Sequence, residues 1–210
     1  MGRKWRWELF QGSRYMLGLM KRDIHYVDDA VTYCRGRQAC VQAGGNLGIY
    51  PKRLASYFRT VYTFEPASDL WPMLLHNAPE SNIVKMQAAL GDERRLIKVS
   101  RERRDGKPNA HEGIGYTVPN GTIPTLRVDD LNLPVCDLLY LDIEGGELPA
   151  LRGAVETLFR CRPVVVCEIN KSLGFVGLTA ADVIGWLDGQ GYRHAKTMGS
   201  DQIFVPKEWE

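Results

Sequence analysis

The sequence predicts an α/β fold, doubly wound around a mostly parallel sheet. Three observations carry this. Short apolar runs alternate with amphipathic stretches, two of those runs (137–143 and 163–169) are apolar almost throughout, and a glycine-rich turn follows the first strand. Strands buried on both faces read as unbroken apolar runs, which is the pattern of a parallel sheet covered by helices.

Taken in order, IHYVDDAVTYC (24–34) spaces Ile24, Val27, Val31 and Cys34 as one helical face. Residues 39–43 begin a short strand, and Pro51 suits the first turn of the helix after the glycines. VYTFE (61–65) is a strand rich in β-branched and aromatic residues, and SDLWPMLLHN (68–77) is a helix with a serine cap. NIVKMQAAL (82–90) reads as one strand and LIKVS (96–100) as another, before a polar, loop-like segment from 101 to 121. ELPALRGAVETLF (147–159) reads as a single amphipathic helix with Leu148, Leu151, Val155 and Leu158 on one stripe. TAADVIGWLDGQ is a helix, and YRHAKT and QIFVP are an antiparallel pair. The expected organisation is an N-terminal extension over 1–37 packed on a core over 38–210, in one domain.

With 210 residues, a 44% hydrophobic fraction and a net charge of +2, the chain is expected to bury a sizeable core and not to bind nucleic acid. The basic run 101–104 reads as a solvated loop. Five cysteines, an odd number without a CxxC pair, favour a reducing compartment over disulfides or zinc. The first residues lack a continuous apolar segment, so no secretory signal is expected, and no run approaches the length that crosses a bilayer. Cytoplasmic localisation is the expectation.

The turn VQAGGNLGIYP (41–51) removes Cβ atoms where a strand hands over to a helix, and Glu65 ends the next strand about 20 residues on. That pair points to an adenosine-bearing cofactor. Positions 43, 45 and 48 give a degenerate A-x-G-x-x-G dinucleotide pattern, while Gly44, Asn46 and Gly48 give G-x-N-x-G, the spacing of S-adenosylmethionine sites. The loop alone leaves both open. In LDIEGGELPALRGA (141–154), Asp142 and Glu144 end a buried strand and Glu147 opens a helix, where it can simply cap the first turn. Buried carboxylates without partners are costly, so Asp142 is expected to have a partner or a chemical role.

VQAGGNLGIYP, VYTFEP, NIVKMQAALGDE, IPTLRVDDL, LDIEGGELPALRGA and VVVCEI follow one another in the order and spacing of the FkbM-type methyltransferase family. The resemblance covers roughly residues 38–205. It implies a class I methyltransferase fold, Rossmann-like with seven strands, and O-methylation of a hydroxyl on a sugar, glycan or other small molecule by S-adenosylmethionine. It implies cofactor contacts from Gln42, Gly44, Gly45, Asn46 and Gly48. Glu65 would hold the ribose hydroxyls, Ala89 and Leu90 with Asp92 nearby would flank the adenine, and Asp142 would stand near the sulfonium. Glu144 and Glu147 match the acidic cluster of the family.

This chain departs from the family at two positions. Gln42 stands where an acid is usual, and Tyr140 where a lysine is common. Restoring the acid, by Gln42→Asp, is expected to tighten cofactor binding. Asp142 is the first candidate for the general base, with Glu144 beside it, and His111 in the long loop is the second. Asp142, Glu168 and Asn170, from adjacent strand ends, form a candidate oxygen set for Mg2+. Trp5, Trp7 and Tyr15 are read as packing residues. The rival readings are an NAD(P)-dependent oxidoreductase and a catalytically inactive binding module with the same fold.

Overall fold

Alternate residues of the central strands go to opposite sides of one sheet. Cys40, Leu138, Tyr140, Val164 and Val166 join one core cluster, and Val41, Ala43, Leu139, Leu141, Val165 and Cys167 join the other. A period of two with both faces apolar is satisfied only when helices cover both sides. The computed structural model, which describes residues 8, 10–101 and 115–209, shows this arrangement.

The elements are α1 (Arg14–Asp23), α2 (His25–Tyr33), β1 (Ala39–Ala43), α3 (Ile49–Ala55), β2 (Thr60–Phe64), α4 (Trp71–Asn77), β3 (Ile83–Met86), β4 (Ala89–Leu90) and β5 (Leu96–Ser100). Next come β6 (Tyr116–Pro119), β7 (Ile123–Leu126), β8 (Leu138–Leu141), α5 (Glu147–Arg152), α6 (Val155–Cys161), β9 (Val164–Glu168), α7 (Ala180–Gly189), β10 (Tyr192–Met198) and β11 (Asp201–Pro206). The seven-stranded sheet has the order β10-β11-β9-β8-β1-β2-β3. Its strands β3, β2, β1, β8 and β9 are parallel, and β11 and β10 add an antiparallel edge. A smaller group, β4-β7-β5-β6, lies beside it.

Three segments differ from the sequence reading. Residues 82–90 are two strands, because β3 pairs with β2 whereas β4 pairs with β7. The segment 101–121 is not wholly loop, since β6 occupies Tyr116–Pro119. The expected helix over 147–159 breaks into α5 and α6. A Cβ on Gly153 would lie 2.0 Å from the Gly91 carbonyl oxygen, so the chain turns there to pass close to Gly91. The break rotates Val155 outward, and it is 42% exposed. The serine cap expected for α4 is also absent: its N-cap is Leu70, and Ser68 accepts a hydrogen bond from Gln87 Nε2 at 3.1 Å instead.

The four cysteines 34, 40, 136 and 167 are buried, Cys161 is half-buried, and all five are free thiols. Trp5, Trp7 and residues 102–104 lie outside the described residues, and Tyr15 on α1 is exposed.

The stretch around Gln11 is fastened to the core by the side chain of Asn77. Asn77, at the end of α4, accepts from Gln11 N (2.7 Å) and donates through Nδ2 to Gln11 O (2.7 Å) and Leu47 O (2.8 Å). Asn77 thereby joins three segments that have no sequence proximity. Asn77→Ala is expected to lower the unfolding free energy by about 1–3 kcal/mol, measured by urea denaturation, because buried backbone groups lose their partners.

Candidate functional site

The carboxyl ends of β1, β2, β8 and β9 open into a cleft of about 650 Å³, walled on its outer side by α1 and the small sheet. Gly44, Asn46, Glu65, Leu90, Asp142 and Glu168 all line it. In doubly wound sheets this end of the strands is where ligands bind.

The glycine turn is shaped by two demands. Gly44 has φ +87°, and a Cβ there would lie 1.9 Å from the Asp142 carbonyl oxygen, so only glycine lets β1 leave the sheet alongside β8. Gly44 N and Gly45 N both donate to Phe64 O, at 3.1 and 2.8 Å, tying the turn to the end of β2. Gly48 also has a left-handed backbone (φ +81°), and it faces Leu74 and Ala78 rather than the cleft. Gly45 and Gly48 therefore support the turn from behind, and neither lines the cleft.

Glu65 is 5% exposed, and its two oxygens accept from Asn46 N and Ala67 N, each at 2.7 Å. Burial raises its carboxyl above the ordinary range, while those two backbone N–H groups pull it back. One carboxylate thus fixes the turn and still presents lone pairs to the cleft. Asn46 adopts φ +44°, and its Oδ1 is buried with no partner in the chain. Ala89 and Leu90 line the cleft, and Asp92 is exposed on the turn beyond them.

Gln42 is not at the cleft. It is fully buried, donates through Nε2 to Ala43 O (3.1 Å) and Gly44 O (2.9 Å), and accepts from the Thr63 hydroxyl. Its amide is used inside the fold to hold the start of the turn. Its role is different from the cofactor contact that the resemblance implied.

Around the end of β8 the structure gathers more carboxylates than the sequence suggested. Glu144 sits at φ +53°, a strained backbone for a non-glycine residue, and burial with the nearby Glu168 pushes its carboxyl up to about 7. Glu147 is fully buried outside the cleft lining, where Oε1 accepts from Ile143 N at 3.0 Å and Oε2 has no partner. Burial pushes Glu147 up to about 8. It ties the turn ahead of α5 together through Ile143 N, and α5 itself has no side-chain cap. Asp142 is driven well above the carboxylate range, first by burial and then by Glu168.

Asp201 was missed in the sequence. It pairs in register with Glu168 across β9 and β11, accepts from the Tyr140 hydroxyl, and is pushed up to about 7 by burial. The residue that stands in the place of a lysine is therefore the donor to a buried acid. Tyr50 from α3 packs edge-on against Tyr140 with ring centroids 5.8 Å apart and lines the cleft. Residue spacing gave no signal for either; only the antiparallel pairing of 192–206 hinted that Asp201 returns to this edge.

The three residues of the candidate cation set all line the cleft, and Asn170 Oδ1 accepts from Ser172 N at 2.6 Å. Among the described residues no group of three His, Cys, Asp or Glu is placed to hold a metal ion. His111 lies outside the described residues.

The strand order and the strand-end cleft define a class I S-adenosylmethionine-dependent methyltransferase fold. Residues 52–194, more than half of the chain, match the Methyltransferase FkbM domain, and the chain belongs to the FkbM methyltransferase family. The FkbM methyltransferase of Methylobacillus flagellatus KT is 14% identical with a TM-score of 0.51, over 94% of this chain and 56% of that one. This chain therefore spans little more than half the length of that protein. Magnesium protoporphyrin IX methyltransferase of Synechocystis PCC 6803, with bound S-adenosylmethionine, is 13% identical with a TM-score of 0.53, over 96% and 88% of the two chains. At such identities the likeness is one of fold. No curated protein matches the chain by sequence.

Two stability outcomes follow from this geometry. Gln42→Asp is expected to destabilise the fold by at least about 1–3 kcal/mol in denaturant titrations, since a buried carboxylate would face two carbonyl oxygens in place of an amide donor. This reverses the expectation drawn from the family pattern alone. Folding raises Glu144 and Asp201 to about 7 and Glu147 to about 8, so the folded chain holds protons that the unfolded chain releases. Their contribution is present below about pH 4 and is lost as pH rises toward about 8. The melting temperature is expected to be several degrees higher at pH 5.5 than at pH 8, and Glu147→Gln is expected to flatten that slope.

Proposed function

We propose that the chain is an S-adenosylmethionine-dependent methyltransferase that methylates a hydroxyl on a sugar or other small molecule. The observation that carries this reading is a single cleft at the strand ends, joining the Gly44–Asn46 turn and Glu65 to Asp142 and Leu90. When bound, the cofactor supplies a methyl group already activated on a sulfonium.

The residues present fit that cofactor. Glu65 retains lone pairs toward the cleft for ribose hydroxyls, beyond those spent on Asn46 N and Ala67 N. The buried, unpartnered Oδ1 of Asn46 is an acceptor suited to an ammonium group. Ala89 and Leu90, both at most 7% exposed, offer an apolar flank for a purine ring. Asp142 and Glu168 line the cleft with carboxyl oxygens, toward which a sulfonium would be drawn.

Methyl transfer needs in-line alignment, exclusion of water and a destination for the acceptor proton. Here α1 covers the cleft with Met16, Leu19 and Met20, and the carboxylates of the strand ends receive the proton. Oxygen acceptors suit this arrangement because their proton must be removed as the new bond forms. The oxidoreductase reading gains no support from the acidic strand ends. The inactive-module reading rested on Gln42, which is spent inside the fold. A cytoplasmic location is consistent with five free thiols and with the absence, among the described residues, of a helix long and apolar enough to cross a membrane.

Calorimetry with S-adenosylhomocysteine and with NADH tests the reading. S-adenosylhomocysteine is expected to bind and NADH is not. Glu65→Gln is expected to weaken S-adenosylhomocysteine by about tenfold or more, or roughly 1.4 kcal/mol. Binding of NADH in place of S-adenosylhomocysteine would overturn it.

A further inference from the structure

Resting on the methyltransferase reading above, we propose that the Tyr50 hydroxyl orients the acceptor, donating a hydrogen bond to the oxygen that is methylated.

The local sequence fixes where this side chain stands. Tyr50 is the second residue of α3, two positions beyond the left-handed Gly48 that ends the glycine turn. Gly48 O accepts from Lys52 N at 3.1 Å, and Pro51 restricts the backbone of that first turn. The Tyr50 ring lies edge-on to Tyr140 and shares one apolar cluster with Met16 and Met20 of α1. Tyr50, Met16 and Met20 all line the cleft.

Packing accounts for the ring and leaves the hydroxyl over. The Tyr140 hydroxyl is spent on Asp201, and the Tyr57 hydroxyl on Asp28. That of Tyr50 makes no hydrogen bond among the described residues. It is not a buried orphan like Asn46 Oδ1 either, so it opens on the cleft that the residue lines. A tyrosine with a packed ring and an open hydroxyl is a donor for the ligand that fills the space beside it.

Two ligands share the cleft, and the surroundings decide between them. The charged groups that bear on Tyr50 are Asp142 at the end of β8, Asp201 of β11, Asp23 of α1 and Glu168 of β9. Every one is an acid. Burial first, and then these carboxyls, keep the phenol in its neutral, donating form. The part of the cofactor that would seek a phenol is its carboxylate, and a carboxylate is disfavoured among four other acids. The hydroxyl of an acceptor is neutral and meets no such penalty.

A hydroxyl oxygen has one proton and two lone pairs. With the proton turned toward the strand-end carboxyls and one lone pair engaged by Tyr50, the second lone pair is left for the methyl group. In the transfer step, the acceptor O–H bond breaks as its oxygen bonds to the methyl carbon. The electron pair of the carbon–sulfur bond stays on sulfur, and the proton passes to a strand-end carboxylate and thence to solvent. Tyr50 keeps its own proton throughout.

Tyr50→Phe tests this, because it keeps the ring and removes only the hydroxyl. Its melting temperature is expected to match that of the wild type. Its affinity for S-adenosylhomocysteine, by calorimetry, is expected to stay within about threefold of wild type. A larger loss gives the hydroxyl to the cofactor and overturns the proposal. A crystal structure with S-adenosylhomocysteine is expected to show the Tyr50 hydroxyl beyond hydrogen-bond reach of every cofactor atom; a bond to the cofactor overturns it equally. With labelled S-adenosylmethionine and a library of hydroxylated small molecules, kcat/KM of Tyr50→Phe for each wild-type acceptor is expected to fall roughly tenfold. The KM for S-adenosylmethionine is expected to be unchanged. Acceptor kinetics equal to wild type would leave Tyr50 a packing residue and sink the proposal. The wild-type chain keeps the two readings apart: failure to bind S-adenosylhomocysteine counts against the methyltransferase reading, whereas wild-type binding and turnover that Tyr50→Phe matches removes only the role of Tyr50.

Discussion

The contact between Gly44 and the Asp142 carbonyl governs the whole strand-end region. β1 and β8 are neighbours in the sheet, and where they end their backbones come so close that no side chain fits between them. That approach sets the direction in which the turn leaves β1, and with it the positions of Asn46 and the start of α3. It also fixes where Asp142 emerges. The turn is then secured from β2 by Phe64 O, which accepts two N–H groups, and by Glu65, which accepts a third. The cleft keeps its shape because backbone groups and the buried Glu65 carboxylate define this part of its floor.

The carboxylates at the strand ends work against stability. Glu144, Glu147 and Asp201 are raised to between about 7 and 8, which means that folding has buried acids whose ionised form is penalised. Each is mitigated locally. Glu147 accepts from Ile143 N, Asp201 accepts from the Tyr140 hydroxyl, and Lys171 lies close enough to Glu144 to offset part of the cost. What remains is a group of carboxyls at the strand ends, several facing the cleft, whose protonation changes near neutral pH and on which a cationic ligand would act strongly. Glu144 adds backbone strain to the same turn, so both kinds of stored cost fall on one segment.

Gln42 shows how a family pattern and a local structure can assign different roles to one residue. By pattern it replaces an acid near the cofactor. In this chain its amide donates to two carbonyl oxygens and accepts from Thr63, so donors are needed there and an ionised carboxylate cannot supply them. Tyr140 is similar. Where a lysine is common, the phenol reaches Asp201 from within the sheet and leaves the acid–hydroxyl pair uncharged in part.

The sequence by itself determined the doubly wound sheet, because burial on both faces imposes unbroken apolar runs that are visible locally. It also determined the glycine turn, Glu65, and the carboxylates Asp142 and Glu144, since each is tied to the end of a strand that the pattern already marks. Only the tertiary structure decided that Gln42 faces inward and that Asn170 spends its oxygen on Ser172. It alone broke 147–159 at Gly153 and brought Asp201 and Tyr50 to the site. The reason is physical: those outcomes depend on strand register and on contacts between residues tens of positions apart. Asp201 lies beside Glu168 through the β9–β11 pairing, and Gly153 must pass Gly91. No local periodicity records either constraint.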